Sequence, residues 1–168
     1  SNPTGVMYSR DELSALAQVL KDHPNIMIMS DDIYNRLVFN GSVAPHLLHV
    51  APDLVDRILI VNGAAKTFSM TGWRVGWALG ALPWIKAMTN YQSQSVSCAA
   101  SMAQKATLKA LEAGDSELRP ALEQLKKRRD RAVELFKSIP GVELEPPDGA
   151  FYIWPTIRAL LGQSFNGK

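Results

Sequence analysis

One cysteine, Cys98, in 168 residues has no partner within the chain, so no internal disulfide is available and the composition fits a reducing compartment such as the cytoplasm. Histidine is equally scarce. His46 and His49 are three apart, but no third ligand follows at a usable spacing and His23 stands alone beside Pro24, so we expect no metal site. No apolar run approaches the roughly 18 residues that a membrane span needs, and no leader segment is recognisable. A dominant charge is missing too: 18 basic and 16 acidic residues leave +2, too weak a bias to argue for nucleic acid or a membrane surface. The basic residues Lys126, Lys127, Arg128, Arg129 and Arg131 share a helix with Glu123, Asp130 and Glu134 and have no interleaved aromatics, so they read as a solvated face. What is present is ordinary for a globular chain, with 46% hydrophobic residues, enough for a core. The chain opens without methionine and inside a motif, from which we expect a piece of a longer protein that lacks both ends.

The hydropathy pattern predicts an α/β fold. Ser9 is placed as a helix N-cap with Glu12 completing a capping box, Leu13, Leu16, Ala17 and Leu20 form an apolar stripe, and Pro24 ends the helix. Strands are expected over residues 25–29, 57–61 and 75–79, the second one ending at Asn62-Gly63. The stretch between residues 39 and 56 is loop-like, with one short helix over 46–50. A helix beginning at Pro83 carries Trp84, Ala87, Met88 and Tyr91, which read as core or subunit contact; the polar residues 92–97 interrupt it before a second helix bearing Ala99, Met102, Ala103, Ala106 and Ala110. Beyond Gly114-Asp115-Ser116 a long helix is expected over 117–138, with Leu118, Leu122, Leu125, Ala132 and Phe136 in one stripe and Pro120 in its first turn. Strands over 142–145 and 149–154 would close the chain, with the turn at Pro146-Pro147 and Asp148-Gly149.

The chemistry concentrates around Lys66 and Arg74. Lys66 falls in a loop beyond the carboxyl end of a strand, among Gly63, Ala64 and Ala65, where little side-chain bulk keeps a ligand away from backbone and amine. An amine in such a place can shed its proton and attack an aldehyde. Asp31, Asp32 and Tyr34 follow the preceding strand, the usual place for ligand-binding groups in an open parallel sheet. Taken singly, each has a plain explanation: a solvated loop lysine, turn-capping aspartates, an arginine in a salt bridge.

Taken in order, Ser1-Asn2-Pro3-Thr4-Gly5, Ser30-Asp31-Asp32-Ile33-Tyr34, Asn62-Gly63-Ala64-Ala65-Lys66 and Arg74 resemble the class I pyridoxal-phosphate aminotransferases of the aspartate aminotransferase superfamily, fold type I. The wording from Lys66 to Gly76 looks most like the bacterial aspartate and aspartate/prephenate branch, and Gly149-Ala150-Phe151-Tyr152 resembles a family stretch that approaches the substrate. The resemblance implies pyridoxal 5'-phosphate as cofactor, held as a Schiff base by Lys66, which also moves the proton from the substrate Cα. It implies Asp31 on the pyridine nitrogen, Tyr34 and Asn2 on the phenolic oxygen, Asn2 also at the substrate carboxylate, and Arg74 on the phosphate. Asp32 is left to the turn. Many relatives carry a serine three residues before the lysine as a further phosphate donor; Gly63 stands there in this chain.

The implied organisation is a partial cofactor-binding large domain over residues 1–115 and, over 116–168, a linking helix with the start of a small α+β domain. Implied substrates are an amino acid, aspartate or glutamate foremost, and a 2-oxo acid; the implied partner is a second copy in a homodimer. The family's ring-stacking aromatic, glycine-rich phosphate loop and carboxylate-binding arginine have no counterpart here, so little activity is expected of this chain alone. Aromatic, alanine and prephenate transaminases share the motifs, as does the effector-sensing domain of some transcriptional regulators. A plain α/β binding module is the remaining alternative.

Overall fold

The computed structural model describes residues 1–41 and 43–164. Helix α1 (Arg10–Asp22) starts as its sequence dictates: the Ser9 hydroxyl accepts from the Glu12 N–H at 3.2 Å and the Glu12 carboxylate accepts from the Ser9 N–H at 2.8 Å. Leu13 and Ala17 are buried, but Leu16 is 42% exposed, so the buried stripe is narrower than its sequence suggests. The far end of α1 is held by a residue well downstream. The Arg57 guanidinium donates to the carbonyls of Leu20 at 2.8 Å, His23 at 2.9 Å and Ile26 at 3.1 Å, where the helix has no further turn to satisfy them.

That clamp explains why β1 (Ile28–Asp31) begins later than expected. The Ile26 N–H is already bonded to His23 and its carbonyl to Arg57, so this part of the run is committed to a turn. β2 (Ile58–Gly63) lies parallel to β1, with Ile28 opposite Ile58 and Asp31 opposite Val61. β3 (Gly76–Leu79) runs antiparallel on the other side of β2, giving the order β1-β2-β3. The described residues therefore hold one parallel and one antiparallel pair. Asn62 and Gly63 are not the turn that ends β2; they pair with Trp77 and Gly76 inside it.

Between β1 and β2 the chain forms the short helix α2 (Leu47–Val50), capped by His46 Nδ1 accepting from the Leu48 N–H at 3.0 Å, and a 3-10 turn, Pro52–Arg57. Leu13, Ala17, Leu47, Ala51, Leu54 and Ile58 bury one another, with Ile28 and Ile60 alongside. Each large aliphatic side chain so buried contributes roughly 1.5–3 kcal/mol, far more than helix propensity offers a single turn such as α2.

After α3 (Ala64–Thr67), which carries Lys66, and β3, three helices follow. α4 (Leu82–Ser95) runs through most of the polar stretch expected to break it, and it buries no residue: Tyr91 is 79% exposed, so its aromatics do not form a core within this chain. α5 (Ser101–Ala113) buries Ala103 and Thr107. α6 (Asp115–Lys137) starts directly after Gly114, earlier than expected, which puts Pro120 in its second turn, where it cannot donate to the Ser116 carbonyl. Leu118 and Val133 are buried on α6, whereas Leu122, Leu125, Ala132 and Phe136 are only half-buried.

The strands expected over 142–145 and 149–154 are absent from the described residues. Two isolated bridges stand in their place, Glu143 with Thr156 and Val38 with Gly149. Pro146, Pro147 and Pro155 stand directly beyond the ends of these two runs, so neither run can be lengthened into a ladder there. The segment is instead fastened to distant turns. The Gly5 carbonyl accepts from the Asp148 and Gly149 N–H groups at 3.0 and 3.1 Å, the Phe39 N–H donates to Asp148 at 2.8 Å, and the Ala150 N–H donates to Leu37 at 2.7 Å. Asp148 adds its carboxylate, which accepts from the Met7 N–H at 3.1 Å. Gly5 (φ +74) and Gly149 are required here, because a methyl on either would overlap Pro147 or the Leu37 carbonyl.

Arg129 departs from the solvated face assigned to its neighbours. Its side chain is 13% exposed, donates to the Pro147 carbonyl at 2.8 Å and to Asp130 at 2.6 Å, and lies 4.5 Å from the centre of the Phe39 ring. Loss of a charged hydrogen bond and a partly desolvated cation–π contact points to about 2–3 kcal/mol. Arg129→Ala is therefore expected to lower the unfolding free energy from urea denaturation by that amount, while Arg128→Ala on the exposed face stays within about 0.5 kcal/mol. Equal effects of the two substitutions would show that the guanidinium contributes no more than surface charge.

Candidate functional site

β2 delivers the chain into a single helical turn, so Lys66 sits in α3 rather than in an open loop. The turn is braced by β3: the Ala64 N–H donates to the Val75 carbonyl at 3.1 Å. The same approach accounts for glycine at 63, since a Cβ there would lie 2.8 Å from the Val75 oxygen and 3.3 Å from Ile33 Cδ1. A serine at this position would have to displace backbone. Asn62 adds a second brace, accepting from the Gly63 N–H at 2.7 Å and donating to Asn35 at 3.3 Å, which joins the end of β2 to the turn after β1.

Ala64 is fully buried and Lys66 half-buried. The Lys66 Nζ lies 5.4 Å from the centre of the Phe151 ring and 5.8 Å from that of Tyr34, so the ammonium is flanked by two aromatic rings. No carboxylate forms an ion pair with it among the described residues. Tyr34 in turn meets Phe151 and Tyr152 edge-on, each at 5.6 Å between centres, and its hydroxyl is 2.5 Å from that of Tyr152. Burial first, then the Tyr152 hydroxyl and the Asp31 charge, push the Tyr34 phenol up to about 12. It is a neutral hydrogen-bond donor at any physiological pH.

Asp31 ends β1 with its carboxylate exposed, one oxygen accepting from the Ile33 N–H at 3.2 Å. Asp32 points the other way, accepting from the Ser30 hydroxyl at 2.8 Å and facing His46 Nε2 at 3.3 Å. His46 Nδ1 is taken as the α2 cap, and its buried Nε2 lies near Asp32 without a hydrogen-bond partner among the described residues. His46 thus belongs to the turn that presents Asp31. Arg74 adopts a left-handed backbone (φ 56), as does Ser69 (φ 54), a rare state for residues other than glycine. Its exposed guanidinium spends one donor on the Thr71 carbonyl at 2.8 Å, and the next residue's carbonyl is the one that braces α3. Asn2 is exposed, and its side chain has no hydrogen-bond partner among the described residues; its turn, however, is tied through Gly5 to residues 148 and 149.

Of the residues singled out in the sequence, Asp31, Tyr34 and Lys66 are brought together. No hydrogen bond or ion pair joins Asn2 or Arg74 to Lys66 among the described residues. Phe151 and Tyr152 complete the cluster, and sequence reasoning placed them near the site only as part of a motif. A cleft of about 330 Å³ lined by Ser69, Gly72, Trp73, Ala100, Met102 and Ala103 contains none of these side chains.

The family model described as aminotransferase class I and II matches residues 1–166. The aspartate/prephenate aminotransferase of Cereibacter sphaeroides is 43% identical over 167 residues, covering 99% of this chain and 42% of its own length. The aspartate aminotransferase of Streptomyces avermitilis is 38% identical over 168 residues, 100% of this chain and 41% of that protein. Among solved structures, the aspartate aminotransferase from Rhizobium meliloti superposes with a TM-score of 0.92 at 38% identity, over 96% of this chain and 40% of that one. The Thermus thermophilus enzyme with maleate gives 0.85 at 38% identity, over 96% and 42%. The chain thus spans about two-fifths of the length of the relatives it matches, and the α/β class read from its sequence is the class of those structures.

The raised Tyr34 phenol makes stability depend on alkaline pH. An unfolded tyrosine loses its proton near ~10, whereas the folded chain keeps this one up to about 12. The contribution is fully present below the unfolded value and is lost as pH rises through this window. Urea midpoints of the wild type are therefore expected to fall more steeply above about pH 10 than those of Tyr34→Phe. Parallel profiles would mean that Tyr34 titrates as a free phenol.

Proposed function

Because the chain belongs to the class I and II aminotransferases, we propose that the protein is a pyridoxal 5'-phosphate-dependent transaminase that moves an amino group between an amino acid, aspartate or glutamate, and a 2-oxo acid. The observation that carries this reading is the Lys66 amine, placed by β2 between the Tyr34 and Phe151 rings, with the Asp31 carboxylate at the neighbouring strand end. The names of the relatives, which join aspartate with prephenate, favour a dicarboxylic amino donor.

The side chains fit the cofactor's groups one by one. Lys66 offers an amine to its aldehyde, Asp31 an anion to its ring nitrogen, Tyr34 a neutral phenol to its ring oxygen, and Arg74 the unused part of a planar fork to its phosphate. Asn2 is proposed for the ring oxygen and the substrate carboxylate. When bound, the cofactor supplies a sink for the electron pair released at the substrate Cα. Lys66 as a free amine would take the proton from the substrate Cα and hand it to the aldehyde carbon of the cofactor. Asp31 would by its charge keep the cofactor's ring nitrogen protonated. The Phe151 ring, itself half-exposed, flanks the amine together with Tyr34 and carries Tyr152 beside it.

On the same footing we place the division between large and small domains at residues 115 and 116. A homodimer is proposed, with exposed Leu82, Met88 and Tyr91 on α4 supporting a contact with a second copy. A cytoplasmic location is proposed; among the described residues no helix is long and apolar enough to cross a membrane.

The test is chemical. The chain is mixed with pyridoxal phosphate, reduced with borohydride and digested, and the modified peptides are mapped by mass spectrometry beside a Lys66→Ala control. Label confined to the Lys66 peptide and lost in the control is the expected result. Label spread over surface lysines of a folded chain, unchanged by the substitution, would overturn the assignment.

A further inference from the structure

Tyr34 and Lys66 come from different elements, and the 5.8 Å between the Lys66 Nζ and the Tyr34 ring centre has to be held by the structure between them. On its near side the turn after β1 is tied to β2 by main chain, the Asp32 N–H donating to the Val61 carbonyl at 2.9 Å. Beyond Tyr34, among the described residues, one hydrogen bond makes the same crossing: the Asn62 side chain donates to Asn35 Oδ1 at 3.3 Å. The direction of this bond is fixed by what Asn62 does at its other end. The Gly63 N–H, 2.7 Å from Asn62 Oδ1, can only donate. The Asn62 oxygen must therefore face Gly63, its NH2 must face Asn35, and Asn35 must present its oxygen in return.

Both amides stand on backbone that is itself held. The Asn35 N–H donates to the Asp32 carbonyl at 2.9 Å, and the Asn35 carbonyl accepts from the Ala44 N–H at 2.8 Å. Asn62 pairs with Trp77 of β3, and the Ala64 N–H that opens α3 is bonded to Val75 at 3.1 Å. A bond between two such anchors sets a spacing instead of following one. Asn35 directly follows Tyr34, and Asn62 leads through Gly63 into the turn of helix that carries Lys66, so the spacing is passed on to the phenol and the amine.

We propose that Asn35 and Asn62 are positioning residues whose side-chain hydrogen bond sets the separation of Tyr34 and Lys66. The use of this separation rests on the reading of Lys66 as the cofactor-binding amine: the aldehyde that Lys66 would meet and the ring oxygen that Tyr34 would meet are neighbours on one rigid ring, so their partners must keep one distance. The separation itself is a property of the chain.

Asn35→Ala removes the acceptor, whereas Asn35→Asp keeps an oxygen in place for the Asn62 NH2. Without cofactor, the nuclear Overhauser cross-peak between the Lys66 ε-methylene and the Tyr34 ring reads the separation; it is expected to weaken in Asn35→Ala and to return in Asn35→Asp. Pyridoxal phosphate affinity, followed by visible absorption, is expected to fall about threefold to tenfold in Asn35→Ala, the usual effect of one neutral hydrogen bond, and to be regained in Asn35→Asp. Urea unfolding is measured alongside. A role confined to stability would lower the unfolding free energy of Asn35→Ala and leave the cross-peak and the affinity of the folded chain unchanged, and that result would overturn the proposal. If Asn35→Ala does not fold, the wild type still decides: the Asn62 NH2 protons are expected to exchange with solvent more slowly than those of the exposed Asn90, and equal rates would show that the bond is not made. Failure of the wild type to label at Lys66 would sink the cofactor reading alone, and the cross-peak comparison would still decide this one.

Discussion

The double hydrogen bond to the Gly5 carbonyl is the constraint on which the rest of the site depends. Two consecutive N–H groups, of Asp148 and Gly149, converge on one oxygen, and the next residue but one is Phe151, whose ring flanks Lys66. Without this junction β1, α1 and β2 still have their own core, since Leu13, Leu54 and Ile58 bury one another without help from the carboxyl-terminal segment. The amine would then stand beside Tyr34 alone. The junction also holds Ala150 in a left-handed conformation (φ 58) while it is 1% exposed, a backbone state that costs on the order of 1 kcal/mol and is held only by its surroundings.

What the sequence made legible follows from how local each signal is. The capping box at Ser9 and Glu12 involves neighbours within one turn, and it forms as read. The three strands were visible as apolar runs, yet their limits moved because long-range groups intervene: Arg57 takes the Ile26 carbonyl and delays β1, and β3 pairs with Asn62 and Gly63 and extends β2. The long helix starts early because Asp115 forms an ion pair with Arg36, 79 residues upstream by sequence number, which no local window contains. The carboxyl-terminal strands are absent because the N–H groups of Asp148, Gly149 and Ala150 are taken by the distant carbonyls of Gly5 and Leu37 rather than by each other's run.

The candidate site divides along the same line. Asp31, Tyr34 and Lys66 follow strand ends, so the order of motifs in the sequence is enough to bring them together. Phe151 and Tyr152 owe their positions to hydrogen bonds made by Gly5 and Leu37, and only a resemblance could have hinted at them. Arg129 is the clearest case of a residue hidden in its context. It sits in a run of four basic residues, three of them exposed, and differs from them only because Phe39 and Pro147 happen to meet at its position on α6.

The separation of these contacts along the chain has a consequence for synthesis. The β1–β2 pairing joins residues about thirty apart and can form soon after Gly63 leaves the ribosome, whereas the Met7–Asp148 bond spans 141 positions. For the time it takes to translate the intervening chain, Lys66 is presented on a folded sheet with its aromatic cover not yet made. A nascent chain therefore carries its most chemically capable side chain without the Phe151 ring beside it until residues 148 to 152 are translated.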